Sequence, residues 1–464
     1  MGSRSQPADT YRLIITRRNA SEILLFQAGR AWVLPLVEIE RHRRIAEQLN
    51  SKAARVWGVE TYCLFSPPKA ACSPSEPFEC AVMESVQQNA APPAGARWIP
   101  SSAAARYCDV ADATAARSAL AETSAYATGK KRGPFARPGW MRELLTWASE
   151  QIAPLGLRPT GEFRQLNAGP SFSLLRLETG GGPAVWFKAT GEPNRHELPV
   201  TAGLASLFPR RLPPVLGVHR EWNGWLAAEA TGVPLDEAAR FREWERVAAD
   251  LAELQIESIE KTAELLEAQL RDLRSPVLAE RIDPFVSRMG EFMAAQEKRD
   301  PAPLAPSELA ILGQTLNESC AVLDRIGLPD TVGHTDCNPG NIVVSDDRCV
   351  YLDWAEGCVA NPLLTFEYLR VYMARCGIAE AGPTERLASA YLRPWIVFYP
   401  PENLHRALAL APLLAVFAFA VSTDAWRTLD PAGNSRLTGY YRSLARRMHR
   451  EAARLAERSE PCLS

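Results

Sequence analysis

An α+β chain with its strands gathered in the first half and its helices in the second is predicted by three observations. Short apolar runs bounded by Gly, Pro and Ser clusters recur over residues 11–83 and again over residues 163–229. From residue 236 onward apolar residues return at helical spacing. One strand pair interrupts the helices, around residues 342–352. The chain has 464 residues, enough for about three domains of roughly 150 each. Its 47% hydrophobic and 23% charged residues give the profile of a soluble globular protein. With 52 Lys+Arg against 54 Asp+Glu, there is no basic excess for a general nucleic-acid or membrane-surface binder.

The elements follow in order. Residues 11–17 (YRLIITR), 22–27, 32–36, 61–65 and 78–83 read as strands around a helix at 43–56, which makes residues 1–135 a small α/β domain. Residues 129–139 (GKKRGPFARPG) resist regular structure and mark a boundary. Residues 136–153 are linker and helix, residues 154–232 a strand-rich lobe, and residues 233–464 a helical lobe. The apolar stretch 407–421 is shorter than a membrane span and contains Pro412, so it reads as a buried helix. Ten scattered cysteines without a C-x-x-C pair read as reduced thiols, against a zinc site or disulfide framework. The first residues, MGSRSQPADTYR, lack an apolar h-region, and a cytoplasmic location is expected.

Residues 333–354, GHTDCNPGNIVVSDDRCVYLDW, carry the chemistry. A hairpin centred near Asp347 sets Val344 opposite Val350, and hence Asn341 opposite Asp353. Asp336 sits on the adjoining loop. Oxygen ligands placed this way suit Mg2+, which takes one or two protein ligands and completes its shell with phosphate and water.

His334-x-Asp336 with Asn341, followed by Leu352-Asp353-Trp354, resembles the signature of the aminoglycoside phosphotransferase and choline kinase family. The resemblance covers about residues 164–369. It implies a bilobal protein-kinase-like fold, β-rich N-lobe and helical C-lobe, preceded here by the small α/β domain. It further implies Asp336 as the catalytic base, Asn341 and Asp353 as Mg2+ ligands, and ATP or GTP as phosphoryl donor. The alternative reading of this stretch is an ordinary polar turn and hairpin.

Such an enzyme needs further parts upstream. Lys188 ends an apolar strand, where an unpaired ammonium would be costly, and Glu197 at the start of a helix is its partner. The alternatives are a solvated strand end and a helix-start carboxylate. Residues 167–173 (NAGPSFS) lie where a loop would cover the phosphates, with Gly169 supplying backbone freedom and Ser171 at its tip; a plain hairpin turn reads equally well. Residues 225–232, with Glu229 and Thr231, resemble the connector whose backbone faces the adenine.

The chain departs from the family pattern in four places. Thr335 stands where Gly is common, and Ala355 follows the Trp in place of an acid. Asn361 and Thr365 replace two aspartates, one of which supports the catalytic loop. No H-R-D, D-F-G or A-P-E occurs, which excludes an activation-loop protein kinase. The resulting expectation is a nucleotide- and Mg2+-dependent phosphotransferase acting on a small-molecule hydroxyl. Its alternatives are a nucleotide-binding pseudokinase or scaffold on the same fold, and nucleotidyl transfer to protein.

Residues 32–35 and the strand–helix–strand order resemble the Nudix hydrolase fold; the alternative is an unrelated α/β domain. Setting Gly58 at the last glycine of that motif puts Lys52, Arg55 and Val56 where its glutamates would lie. Cations cannot replace magnesium-binding carboxylates, so a non-catalytic role in docking, homodimer assembly or substrate access is expected. Arg41-His42-Arg43-Arg44 reads as a solvated basic helix face. For the acceptor, Glu356, Glu367 and Asp424 would favour a cation. The aromatics Tyr391, Trp395, Phe398, Tyr399, Trp426, Tyr440 and Tyr441 would favour a ring, although most aromatics of this kind are core.

Overall fold

Continuous burial along the first strand organises the N-terminal region. A computed structural model describes residues 8–41, 43–67, 78–238, 240–378, 380–432 and 435–459; His42, Cys72, Cys462 and the first seven residues lie outside them. The chain divides into two compact units, residues 1–198 with 214–229, and residues 199–213 with 230–464.

In the first unit, β1 (Ala8–Arg17), β2 (Glu22–Ala28), β3 (Ala31–Val33), β4 (Leu36–Glu40), β5 (Thr61–Phe65), β6 (Glu79–Ser85) and β7 (Ala96–Pro100) form one mixed sheet. Its path is β3-β2-β1-β6-β5, with β4 also on β1 and β7 on β2. The β1–β6 pair is parallel. Leu13 and Ile15 point to a core with Ala46 and Leu49 of α1 (Ile45–Trp57), while Ile14, Leu25 and Val82 point to the opposite side. A strand with period-2 side chains and both faces covered must be apolar throughout, which is why residues 13–15 are Leu-Ile-Ile.

Helix α2 (Val110–Ala127) is capped by Asp109, whose side chain accepts from the Asp112 N–H at 2.8 Å. Helix α3 (Trp140–Ile152) buries Trp140, Met141, Leu144, Ala148 and Ile152, one stripe at helical spacing. That stripe joins Ile14, Leu25 and Val82 to Leu175, Phe187 and Leu226 of a second sheet. This antiparallel sheet runs β11-β12-β10-β9-β8 and comprises β8 (Arg158–Gly169), β9 (Phe172–Gly180), β10 (Val185–Ala189), β11 (Val215–His219) and β12 (Gly224–Ala228). The two sheets therefore share one apolar core. Gln165 of β8 reinforces this. Its buried amide accepts from the Cys63 N–H at 2.7 Å and donates to the Cys63 carbonyl at 2.9 Å, satisfying the β5 edge as a neighbouring strand would.

The second unit is mainly helical. Helix α4 (Glu197–Leu207) runs into it, followed by α5 (Phe241–Glu257), α6 (Ser275–Ala294), α7 (Pro306–Ile326), α8 (Pro362–Arg375), α9 (Pro383–Trp395), α10 (Pro401–Val421) and α11 (Arg436–Ser459). By length and composition α10 could cross a membrane, but Leu404, Ala407, Ala411 and most of residues 413–421 are buried in the core of this unit. Two three-stranded sheets sit among the helices: β13 (Val233–Pro234) with β16 (Ile342–Val344) and β17 (Cys349–Tyr351), and β14 (Arg271–Leu273) with β18 (Gly357–Ala360) and β15 (Thr331–His334). Eight of the cysteines are free thiols among the described residues.

The β16–β17 register differs by one residue from the expected pairing. Val343 faces Val350 and Val344 faces Cys349, so the Leu352 N–H donates to the Asn341 carbonyl at 2.8 Å, and Asn341 lies opposite Leu352 instead of Asp353. The turn explains the slip. Ser345 N–H donates to the Arg348 carbonyl, leaving Asp346 and Asp347 as a two-residue connection in place of one centred on Asp347.

Candidate active site

In the first unit, Lys188 lies on the central strand β10, facing Leu174 of β9 and Trp225 of β12. Its ammonium pairs with the Glu197 carboxylate and lies 5.9 Å from the centre of the Trp225 ring. Glu197 is 1% exposed. A buried carboxylate is tolerated only with such a partner, so this pair is a fixed feature of the unit.

Gly169 and Ser171 fall at the β8–β9 hairpin, whose last pair is Gly169 with Phe172. The freedom expected of Gly169 is not used: a Cβ there would make only an ordinary contact, 3.8 Å from the Phe172 carbonyl. Two other glycines are required, because a Cβ on Gly133 would come within 2.6 Å of Pro170, and one on Gly191 within 2.6 Å of Ser171. The hairpin tip is also tied by hydrogen bonds. Phe135 N–H donates to the Pro170 carbonyl at 3.1 Å, and Arg44 Nη1 donates to the Asn167 side-chain oxygen at 2.8 Å. Arg41 and Arg43 pair with Asp9 and Glu40, so the basic helix start is drawn into local contacts.

The Glu229 side chain is held within the first unit. Arg176 donates to both its oxygens, at 2.6 and 3.0 Å, and these bonds hold its carboxyl below the usual range. Thr231 is exposed in the second unit, beside Gly232, whose φ of 139° and approach to the Val344 carbonyl admit no side chain.

In the second unit, the loop after β15 carries Asp336, and the segment between β17 and β18 carries Asp353 and Glu356. Asp336 N–H donates to His334 Nδ1 at 3.1 Å, so Nδ1 is the acceptor and Nε2 carries the proton, donated to the Asp353 carbonyl at 2.7 Å. Asp353 itself is left-handed, φ 61°. A non-glycine residue there costs on the order of 1 kcal/mol, and such strain persists where the surroundings impose it. Asp353 lies beyond the ladder, whose last pair is Ile342 with Tyr351, and the His334 ring is one contact that holds it there. Asn341 closes the short turn begun by Asn338, whose side chain accepts from the Gly340 N–H at 3.0 Å.

Thr365 supports the loop through its hydroxyl, which accepts the His334 N–H at 2.9 Å. Gly333 makes the approach feasible, since a Cβ there would lie 2.9 Å from the Thr365 hydroxyl. Asn361 caps α8 through the Leu363 N–H at 3.2 Å. Thr335 N–H donates to the Glu356 carbonyl at 3.1 Å. Burial pushes the Glu356 carboxyl up, with Asp353 and Asp336 adding to the rise and His334 and Arg271 opposing it.

Asp336 opens on a cavity of about 350 Å³. Tyr372 donates to Asp336 Oδ1 at 2.5 Å. Of the residues expected to form the acceptor wall, Glu356 and Tyr440 line this cavity. Glu367 is buried and clamped by Arg370, Asp424 is exposed beside Arg427, and Tyr391, Trp395, Trp426 and Tyr441 are core. Phe398 is exposed, and Tyr399 donates to the Gly327 carbonyl. Sequence reasoning missed Tyr368, Tyr372, Arg375 and Arg447, which reach the cavity from α8 and α11.

Among the described residues no three His, Cys, Asp or Glu side chains converge as a metal cage. Mg2+ does not need one, because phosphate and water complete its shell. One carboxylate and one amide, Asp353 and Asn341, are a donor set of the right hardness for it.

Comparison with known proteins adds the following. The model of the phosphotransferase enzyme family matches residues 162–405, more than half of the chain. No curated protein matches. Among solved structures, a macrolide 2'-phosphotransferase from Brachybacterium faecium is 17% identical, with 61% of this chain and 95% of that one covered and a TM-score of 0.42. An ethanolamine kinase from Plasmodium vivax is 16% identical, with 66% and 86% covered and a TM-score of 0.45. A choline/ethanolamine kinase family protein from Mesorhizobium loti is 15% identical, with 67% and 99% covered and a TM-score of 0.42. At such identities and scores the assignment rests on the family model alone.

Proposed function

Because this chain belongs to the phosphotransferase enzyme family, we propose that it transfers the terminal phosphoryl group of a nucleotide, ATP or GTP, to the hydroxyl of a small molecule. The observation that carries this reading is the bracing of Asp336 and Asp353 by one histidine beside a cavity of about 350 Å³ that Asp336 lines.

Asp336 accepts the proton of the acceptor hydroxyl as its oxygen bonds to the terminal phosphorus and the bond to the nucleotide diphosphate breaks. The Tyr372 hydroxyl fixes one Asp336 oxygen and leaves the other for the acceptor. Lys188, held by Glu197, offers a cation to the nucleotide phosphates. Asn341 and Asp353 would hold Mg2+, which supplies charge neutralisation at the phosphates. Most of the rate enhancement then comes from positioning and electrostatics.

The test is a screen of hydroxylated metabolites and antibiotics for nucleotide consumption, with the Asp353→Ala protein as blank. Consumption that depends on an acceptor and disappears in the blank supports the reading. A protein that binds nucleotide and consumes none with any acceptor is a pseudokinase, the second reading, favoured by the replacement of two aspartates of the family pattern with Asn361 and Thr365.

A further inference from the structure

The cavity beside Asp336 is lined by charges of both signs: the carboxylates of Asp336 and Glu356, and two arginines, Arg375 from the last turn of α8 and Arg447 from α11. Tyr368, Tyr372 and Tyr440 line it as well. Tyr368 and Tyr440 each feel charges of both signs: burial pushes their phenol pKa up, Asp336 adds to the rise and Arg447 opposes it.

Neighbouring arginines are consumed by the fold: Arg370 binds Glu367 with two bonds of 2.7 Å, and Arg442 donates to the Phe292 carbonyl. Arg375 and Arg447 differ. Among the described residues neither guanidinium has an ion-pair or hydrogen-bond partner, and Arg375 only stacks 5.4 Å from the centre of the Tyr372 ring. Glu367, whose charge Arg447 also meets, is already satisfied by Arg370.

A guanidinium offers a planar fork of donors that matches carboxylate and phosphate oxygens, and inside a small cavity its charge repels an amine. We propose that the acceptor is a small hydroxylated compound bearing an anionic group, with its hydroxyl at Asp336, its carboxylate or phosphate on Arg447 and Arg375, and its body against Tyr368, Tyr372 and Tyr440. This rests on the phosphotransferase reading, and it replaces the cationic acceptor that the acidic residues of the C-terminal third favoured.

Two matched sets of probes test it with the full chain: glucuronate, glucose and glucosamine; and para-hydroxyphenylacetate, its amide and tyramine. Calorimetry should find the carboxylate of at least one set bound about tenfold or more tightly than its amine. Arg447→Ala should erase that preference and Arg447→Lys should keep part of it, with unchanged circular dichroism in both. Carboxylates that fail to outbind the amines, including by not binding at all, overturn the proposal. So does an Arg447→Ala protein that keeps the preference. Turnover of an amine or neutral probe without a carboxylate preference removes this inference and leaves the phosphotransferase reading. A carboxylate preference with no phosphate transfer to any probe does the reverse.

Discussion

His334 Nε2 donates to the Asp353 carbonyl at 2.7 Å while its Nδ1 receives the Asp336 N–H at 3.1 Å, so a single imidazole spaces the two carboxylate-bearing residues. Removing the ring takes away one contact that holds Asp353 and one that holds Asp336. His334→Ala should lower kcat by about 10- to 100-fold, the scale on which residues behind a functional group act. The nucleotide Kd should move little, and steady-state kinetics beside nucleotide titration separate the two.

Thr365 gives the loop a neutral acceptor where the family pattern has an acid. Thr365→Val leaves the buried His334 N–H without its partner, at a cost of about 1–3 kcal/mol. The Val protein should melt earlier and turn over more slowly, and Thr365→Ser should restore both; calorimetric melting and kcat measure it.

The Lys188–Glu197 pair separates structure from chemistry. Lys188→Met strands a carboxylate that is 1% exposed, which costs about 3–5 kcal/mol where a buried pair is broken from one side. Adding Glu197→Gln should recover much of the melting temperature without recovering kcat/KM. Recovery of both would make the lysine structural only.

Asp330, half-buried at the start of β15, has an oxygen with no hydrogen-bond partner among the described residues, and burial pushes its carboxyl from 3.8 up to about 6. A folded-state pKa above the unfolded one means the folded protein holds the proton more tightly. The contribution of this group is therefore full below 3.8 and is lost as pH rises through about 6. Asp330→Asn should stabilise the protein at pH 7 by on the order of 1–2 kcal/mol, after allowance for partial solvent access, and should flatten the stability change between pH 4 and 7.

Much of this was legible in the residues. Short apolar runs bounded by Gly, Pro and Ser clusters marked the strands at residues 11–17 and 61–65, and helical spacing marked residues 140–152, because those patterns report burial directly. The Lys188–Glu197 pairing followed from the cost of a buried cation. The β16–β17 register was misread by one residue because the choice between turn lengths lay in the Ser345–Arg348 bond, which no apolar pattern encodes. The glycine argument at Gly169 failed for a related reason: the close approaches are made by Gly133 and Gly191, distant in sequence from the hairpin they touch. The cavity arginines had no local signature, since α8 and α11 meet Asp336 only through tertiary packing.

Asp336→Asn tests the central claim most directly. Asparagine keeps the size of the side chain and still accepts from Tyr372, but it cannot take a proton. Once an acceptor is known, kcat should fall by at least about a hundredfold, the usual share of a general base, while the nucleotide Kd stays as in the wild type. Wild-type turnover in that variant would contradict the account.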